Sequence, residues 1–121
     1  VRRAIMEAIA SYHHPVALML QATPDAAQHQ READAVGIAL LFEAFADRCY
    51  DDAGRLVSRR LPGAVHTREK MLEQVEQICR EGTVTSVSGN TLELAPDTLC
   101  VHGDNEEGIA AIIEIRDIIH R

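Results

Sequence analysis

The sequence predicts an α/β protein built on parallel strands. Short apolar runs at 16–20, 38–42 and 97–101 alternate with amphipathic segments whose apolar residues recur at helical spacing. Strands that alternate with helices imply a parallel sheet with right-handed crossovers. Two of the runs also end in polar clusters. Phe42-Glu43-Ala44-Phe45-Ala46-Asp47-Arg48-Cys49-Tyr50 follows the run from Gly37 to Leu41, and Cys100-Val101-His102-Gly103-Asp104 follows Thr98-Leu99. Polar groups at the ends of buried strands are where parallel α/β proteins place binding and catalysis.

Ala4, Ile5, Ala8, Ile9 and Tyr12 predict an amphipathic helix over 2–12, stopped by Pro15. The run 16–20 reads as the first buried strand. Thr23 is a good N-cap with Pro24 at the first helical position, and the helix runs to Val36 with Gly37 ending it. Residues 38–42 read as the second buried strand. The polar segment 43–66, with turns at Asp51-Asp52-Ala53-Gly54 and Leu61-Pro62-Gly63-Ala64, reads as a long functional loop. Thr67 caps a helix with Met71, Leu72, Val75, Ile78 and Cys79 as its stripe, and Gly82 closes it. Residues 83–87 and 91–94 alternate around Ser88-Gly89-Asn90, a hairpin signal. Residues 97–101 form the third strand. Asp104 and Glu107 resemble a capping box for a last helix carrying Ile109, Ile112, Ile113, Ile115 and Ile119.

Composition bounds the function. A chain of 121 residues with 46% hydrophobic content builds one small packed domain. A net charge of −7 argues against nucleic acid or an anionic membrane as the main partner. No stretch approaches the roughly 20 apolar residues of a membrane span. The cysteines Cys49, Cys79 and Cys100 are odd in number and widely spaced. They fit neither a disulfide framework nor a zinc knuckle, so a reducing cytoplasm is the simplest setting. There is no phosphate-binding G-x-x-x-x-G-K-[ST] loop, and the histidines have no ligand-like spacing, so no metal ligand set is expected.

Parallel topology brings three strand ends together: 21–23, 43–48 and 102–104. His102 is the candidate general acid/base, because imidazole titrates near neutrality. Asp47 or Asp104 would orient it or accept its proton, and Glu43 adds a third carboxylate. Arg48 would grip a carboxylate bidentately, and Arg59 lies in a loop suited to anion recognition. Structural readings stand beside each of these. His102 serves equally as a hydrogen-bonded buried histidine, Asp104 as a helix cap, and Glu43, Asp47 and Arg48 as an ion-pair network.

The string from Glu43 to Tyr50, then Gly54-Arg55-Leu56-Val57, Arg59 and Pro62-Gly63-Ala64, and finally Cys100-Val101-His102-Gly103-Asp104, resembles the LamB/YcsF family. Arg80-Glu81-Gly82 and the hairpin fit the same pattern. The family comprises the A subunits of bacterial 5-oxoprolinase. The resemblance implies ATP-dependent opening of the 5-oxoproline lactam to L-glutamate, with B and C partner subunits. It also implies a distorted, TIM-like (β/α) barrel of the glycoside hydrolase and deacetylase type. The match runs over residues 1–121 as the C-terminal portion of one barrel domain. The family's Asn-Ala-Asp, Gly-Phe-His-Ala-Gly-Asp and Lys-Pro-His-Gly strings are absent from this sequence, so the expectation is an incomplete active site. The alternatives are a non-catalytic assembly module or truncated remnant, and a metal-dependent deacetylase-like hydrolase by analogy of fold alone.

Overall fold

The computed structural model describes residues 1–103 and 106–121. Helix α1, Arg2–Ala10, packs along α2, Ala26–Val36. Met6, Ala33 and Ile38 form a small buried cluster between them, and Arg2 grips Glu32 through Nε and Nη2 at 2.8 and 3.0 Å. The second helix starts later than its sequence suggests. Asp25 is the N-cap, while Thr23 Oγ1 accepts from the Asp25 amide and Thr23 O from the Ala26 amide. Thr23 and Pro24 are therefore used in a side-chain-closed turn ahead of the helix.

Strands β1, Leu18–Gln21, and β2, Leu40–Phe45, pair in parallel, with Leu20 opposite Phe42 and Gln21 opposite Glu43. Later in the chain β5, Thr98–Cys100, joins the far side of β2, with Ala44 opposite Leu99. The parallel α/β expectation holds. Strand β2, however, is displaced toward the C-terminus relative to the run 38–42. Gly37 adopts φ +75° and the Ile38 amide bonds back to Ala33 O, so Ile38 finishes the helix instead of opening the strand. Glu43 consequently sits inside β2, between Gln21 and Thr98, and not beyond its end.

The segment after β2 is tied down much more closely than a structureless loop. Arg48 bridges Val65 and Tyr50 bridges Leu56, both antiparallel. The Cys49 amide bonds to Ala64 O, the Val57 amide to Cys49 O and the His66 amide to Asp47 O. Asp51 Oδ1 accepts from the amides of Ala53 and Arg55, forming the turn. Gly54, buried at φ +85°, lies against Pro24, where an added Cβ would stand 2.7 Å from the proline Cδ. Gly54→Ala should lose about 1–3 kcal/mol from the left-handed backbone, plus the clash. Gly63→Ala, at φ +78° with nothing within 4 Å, carries the backbone penalty alone. Denaturant unfolding should rank Gly54→Ala clearly below Gly63→Ala; equal midpoints would refute the contact.

Helix α3, Arg68–Glu81, begins at Thr67, whose Oγ1 accepts from the Lys70 amide, and ends at Gly82 with φ +71°. The hairpin β3, Thr83–Thr85, and β4, Thr91–Glu93, follows. The last helix is two pieces, α4 Glu106–Ala110 and α5 Ile112–Ile119, joined at buried Ala111. Ile115 and Ile118 face the core, whereas Ile109, Ile112, Ile113 and Ile119 of the expected stripe are exposed.

The two main clusters lie on one face of the sheet. Phe42 and Ala44 join Ala22, Ile78, Val84, Leu92 and Leu94, and Ala46 joins Met71, Val75, Ala111, Ile115 and Ile118. The opposite face starts with Met19, 47% exposed, and Leu41, 42% exposed. The strands thus alternate where fully buried ones were expected. Parallel sheets normally have both faces covered; here β1 and β5 are the edges, and the sheet does not close into a barrel among the described residues.

Candidate active site

Alternation along β2 places Glu43 and Phe45 on the lightly covered face, and Cys100, opposite Phe45 in register, shares it. One step further, the Ala46 amide bonds to Cys100 O, and the chain then delivers Asp47 beside His102. Asp47 is fully buried. Its Oδ2 accepts from the His102 amide at 3.0 Å and its Oδ1 meets His102 Nδ1 at 2.9 Å. With the carboxylate as acceptor, the neutral ring carries its proton on Nδ1 and presents the Nε2 lone pair. The imidazole also stacks on Phe45, with centroids 5.4 Å apart and planes 12° apart. Three contacts therefore fix both the position and the tautomer of His102, an arrangement that suits a general base.

The structure brings Asp47 and His102 into direct contact, and the Glu43 and Asp47 carboxylates both act on Cys100 and Tyr50. Burial pushes the Cys100 thiol above its ordinary value, and the Glu43 and Asp47 carboxylates push the same way. Asp104 lies outside the described residues. Arg48 is buried, not open to solvent: its Nη2 donates to Val57 O at 2.7 Å, and its Nε is buried without a partner. Arg59 is exposed on the connection between the bridged residues Leu56 and Val65. Among the described residues, no group of three His, Cys, Asp or Glu side chains is placed to share a metal ion.

Several residues that shape this site are absent from the sequence-based set. Tyr50 is fully buried, and its phenol oxygen accepts from the Phe45 amide at 2.9 Å. Gln74, on the buried face of α3, donates through Nε2 to Phe45 O at 2.8 Å, Ala46 O at 3.3 Å and Arg48 O at 2.9 Å. Its Oε1 meets His66 Nε2 at 3.0 Å. Burial holds the His66 imidazole below its ordinary value, against the opposing hydrogen bond to Gln74. The available signal for Gln74 is helical phase. It falls between Met71 and Val75 on the stripe that reaches Ile78, while Cys79, assigned to that stripe from the sequence, is exposed.

A parallel sheet with helices on one face and a carboxylate–imidazole pair at the carboxyl ends of its strands defines an α/β protein of the strand-end site type. The chain belongs to the LamB/YcsF family, whose model matches residues 1–121. It is 47% identical over 119 residues to the 5-oxoprolinase A subunit of Pseudomonas fluorescens (strain Pf0-1), covering 98% of this chain and 48% of that protein. It is 47% identical over 116 residues to the 5-oxoprolinase A subunit of Chromohalobacter salexigens, covering 95% of this chain and 46% of that protein. The crystal structure of the lactam utilization protein from Thermus thermophilus superposes with a TM-score of 0.75 at 26% identity, over 96% of this chain and 46% of that one. The chain spans about half the length of the curated relatives it matches.

Proposed function

We propose that this chain supplies the Asp47–His102 part of the active site of a 5-oxoprolinase-type hydrolase, which opens the lactam of 5-oxo-L-proline to L-glutamate. The observation that carries the reading is the double hydrogen bond from His102, amide and Nδ1, to buried Asp47. It leaves Nε2 as the base that draws a proton from water attacking the ring carbonyl. The same nitrogen then returns that proton to the departing ring nitrogen. Asp47 keeps the imidazole in this tautomer and stabilises the cation formed between the two transfers. Asp104 is assigned a supporting role in proton handling, and Glu43 raises the negative field around the pair.

Arg48 is assigned to the substrate carboxylate. A buried guanidinium with an unpartnered Nε is costly to keep, and an anionic ligand would offset that cost once the Val57 contact adjusts. Arg59 is assigned to the approach of the same anion. The reading also calls for ATP, whose chemistry would activate the unreactive amide. The described residues do not fit a nucleotide: the cations assigned here are one sealed and one solvent-exposed arginine, and the sequence has no glycine-rich phosphate cradle. No residue of this chain is therefore assigned to ATP, and the reading places the enzyme with its B and C subunits in the cytoplasm.

The uncovered sheet face and the free edges of β1 and β5 support a further element of the reading. This unit is one portion of a TIM-like (β/α) barrel whose other strands pair at those edges. The test is 5-oxoproline-dependent glutamate formation by the full chain with its B and C partners and ATP. Turnover that requires all components is expected. A folded, assembled complex that leaves 5-oxoproline intact would defeat the proposal and favour an assembly module.

A further inference from the structure

We infer that Gln74 is the positioning residue of the Asp47–His102 pair. This rests on the catalytic reading above and adds the device that holds its carboxylate in place. Where β2 ends, the chain must leave the sheet and turn Asp47 toward His102. Asp47 O keeps a partner in the antiparallel bridge between Arg48 and Val65, but the carbonyls of Phe45, Ala46 and Arg48 on either side of it need another donor. The two Nε2 hydrogens of Gln74 serve Phe45 O at 2.8 Å and Arg48 O at 2.9 Å, with Ala46 O at 3.3 Å sharing one of them, and the His66 amide serves Asp47 O. One side chain on α3 therefore fixes the backbone on both sides of Asp47.

The orientation of the Gln74 amide is itself determined. Nε2 must face the carbonyls, because Oε1 cannot donate to them. Oε1 then accepts from His66 Nε2, which makes His66 the Nε2–H tautomer. His66 thus holds Asp47 twice, directly through its own amide and indirectly by orienting Gln74. Met71 and Val75 flank Gln74 and pack against Ala46, so the helix carrying the brace is anchored beneath the same turn. Gln74 is buried, and both polar ends of its side chain are engaged by these contacts.

The expected consequence is separable from stability. Gln74→Met keeps the volume and removes the donors. In the full chain, well below its melting temperature, long-range proton–nitrogen NMR of the imidazoles should show His102 as a single Nδ1–H tautomer in the parent and as a mixture in Gln74→Met. Catalytic turnover should fall on the order of 10²-fold with little change in KM, since a displaced carboxylate impairs chemistry more than binding. A folded Gln74→Met protein that keeps the single Nδ1–H tautomer overturns the inference and leaves Gln74 as packing. If Gln74→Met does not fold, His66→Phe, which removes the orienting donor at a half-buried position, is read the same way: a tautomer mixture supports the inference and an unchanged imidazole overturns it. The NMR measurement needs no substrate, so a failure of the hydrolase reading would show as absent turnover with the tautomer change intact.

Discussion

On the proposed hydrolase reading, Asp47→Asn should lower turnover of 5-oxoproline by about 10²–10⁴-fold while leaving the fold in place. The argument is one of hydrogen-bond inventory. Asp47 accepts two bonds from His102, one on each oxygen. Asparagine has one oxygen and one amino group. If the oxygen stays on the backbone amide, the amino group faces the imidazole and selects a ring with Nδ1 bare and Nε2 protonated, which is no base. If the amide flips, the His102 backbone loses its acceptor and the loop shifts. His102→Ala should show a loss of the same order, because it removes the base itself. Glu43→Gln is the internal comparison. Glu43 is half-buried within β2 and shares the field without bonding the imidazole in the described contacts, so its effect should be clearly smaller. Glutamate formation measured with the partner subunits present checks all three. Asp47→Asn turnover close to the parent would remove the pair from the mechanism.

Much of this arrangement is legible in the sequence because strand ends announce themselves by composition. The apolar runs locate three parallel strands to within a few residues, and the clusters after the second and third contain the two residues that meet. Thr67 and the two helix-ending glycines, Gly37 and Gly82, act as their chemistry predicts. The shifted boundary of β2 has a physical origin. Ile38 looks like a strand residue by type, yet the helix-terminating turn uses it, and Glu43 and the small Ala44, both weak strand formers, carry the strand onward to Phe45. The segment 43–66 reads as structureless because its bridges pair residues 6 to 17 apart with no periodicity to betray them. Gln74 is hidden for a related reason. Composition marks a glutamine as surface, and only its phase on the helix, together with the carbonyls it meets, shows otherwise. The open sheet face has the same lesson in reverse: Met19 and Leu41 read as core residues by type, yet alternation turns them to the open face, where they are 47% and 42% exposed.

Tyr50 should give the largest stability effect of any single site, and its alkaline behaviour identifies the cause. The ring is fully buried in the main cluster with Ala22, Phe42, Ala44 and Ile78. Tyr50→Ala empties a ring-sized volume and should cost about 3–5 kcal/mol. Tyr50→Phe keeps the ring but leaves the Phe45 amide without its acceptor, for about 1–3 kcal/mol. Burial pushes the phenol from 10.0 up to about 12, with the Glu43 and Asp47 carboxylates adding to the rise and the Phe45 amide opposing it. The folded protein therefore holds this proton more tightly than the unfolded chain does. By linkage, the stabilisation is complete below about pH 10 and is lost as pH climbs toward about 12. The parent should lose stability over that window, and Tyr50→Phe, with nothing to ionise there, should follow a flatter alkaline limb. Denaturant midpoints measured between these pH values decide it. Parallel limbs for parent and Tyr50→Phe would mean that the phenol ionises equally in the folded and unfolded states, and burial would not be the cause of the rise.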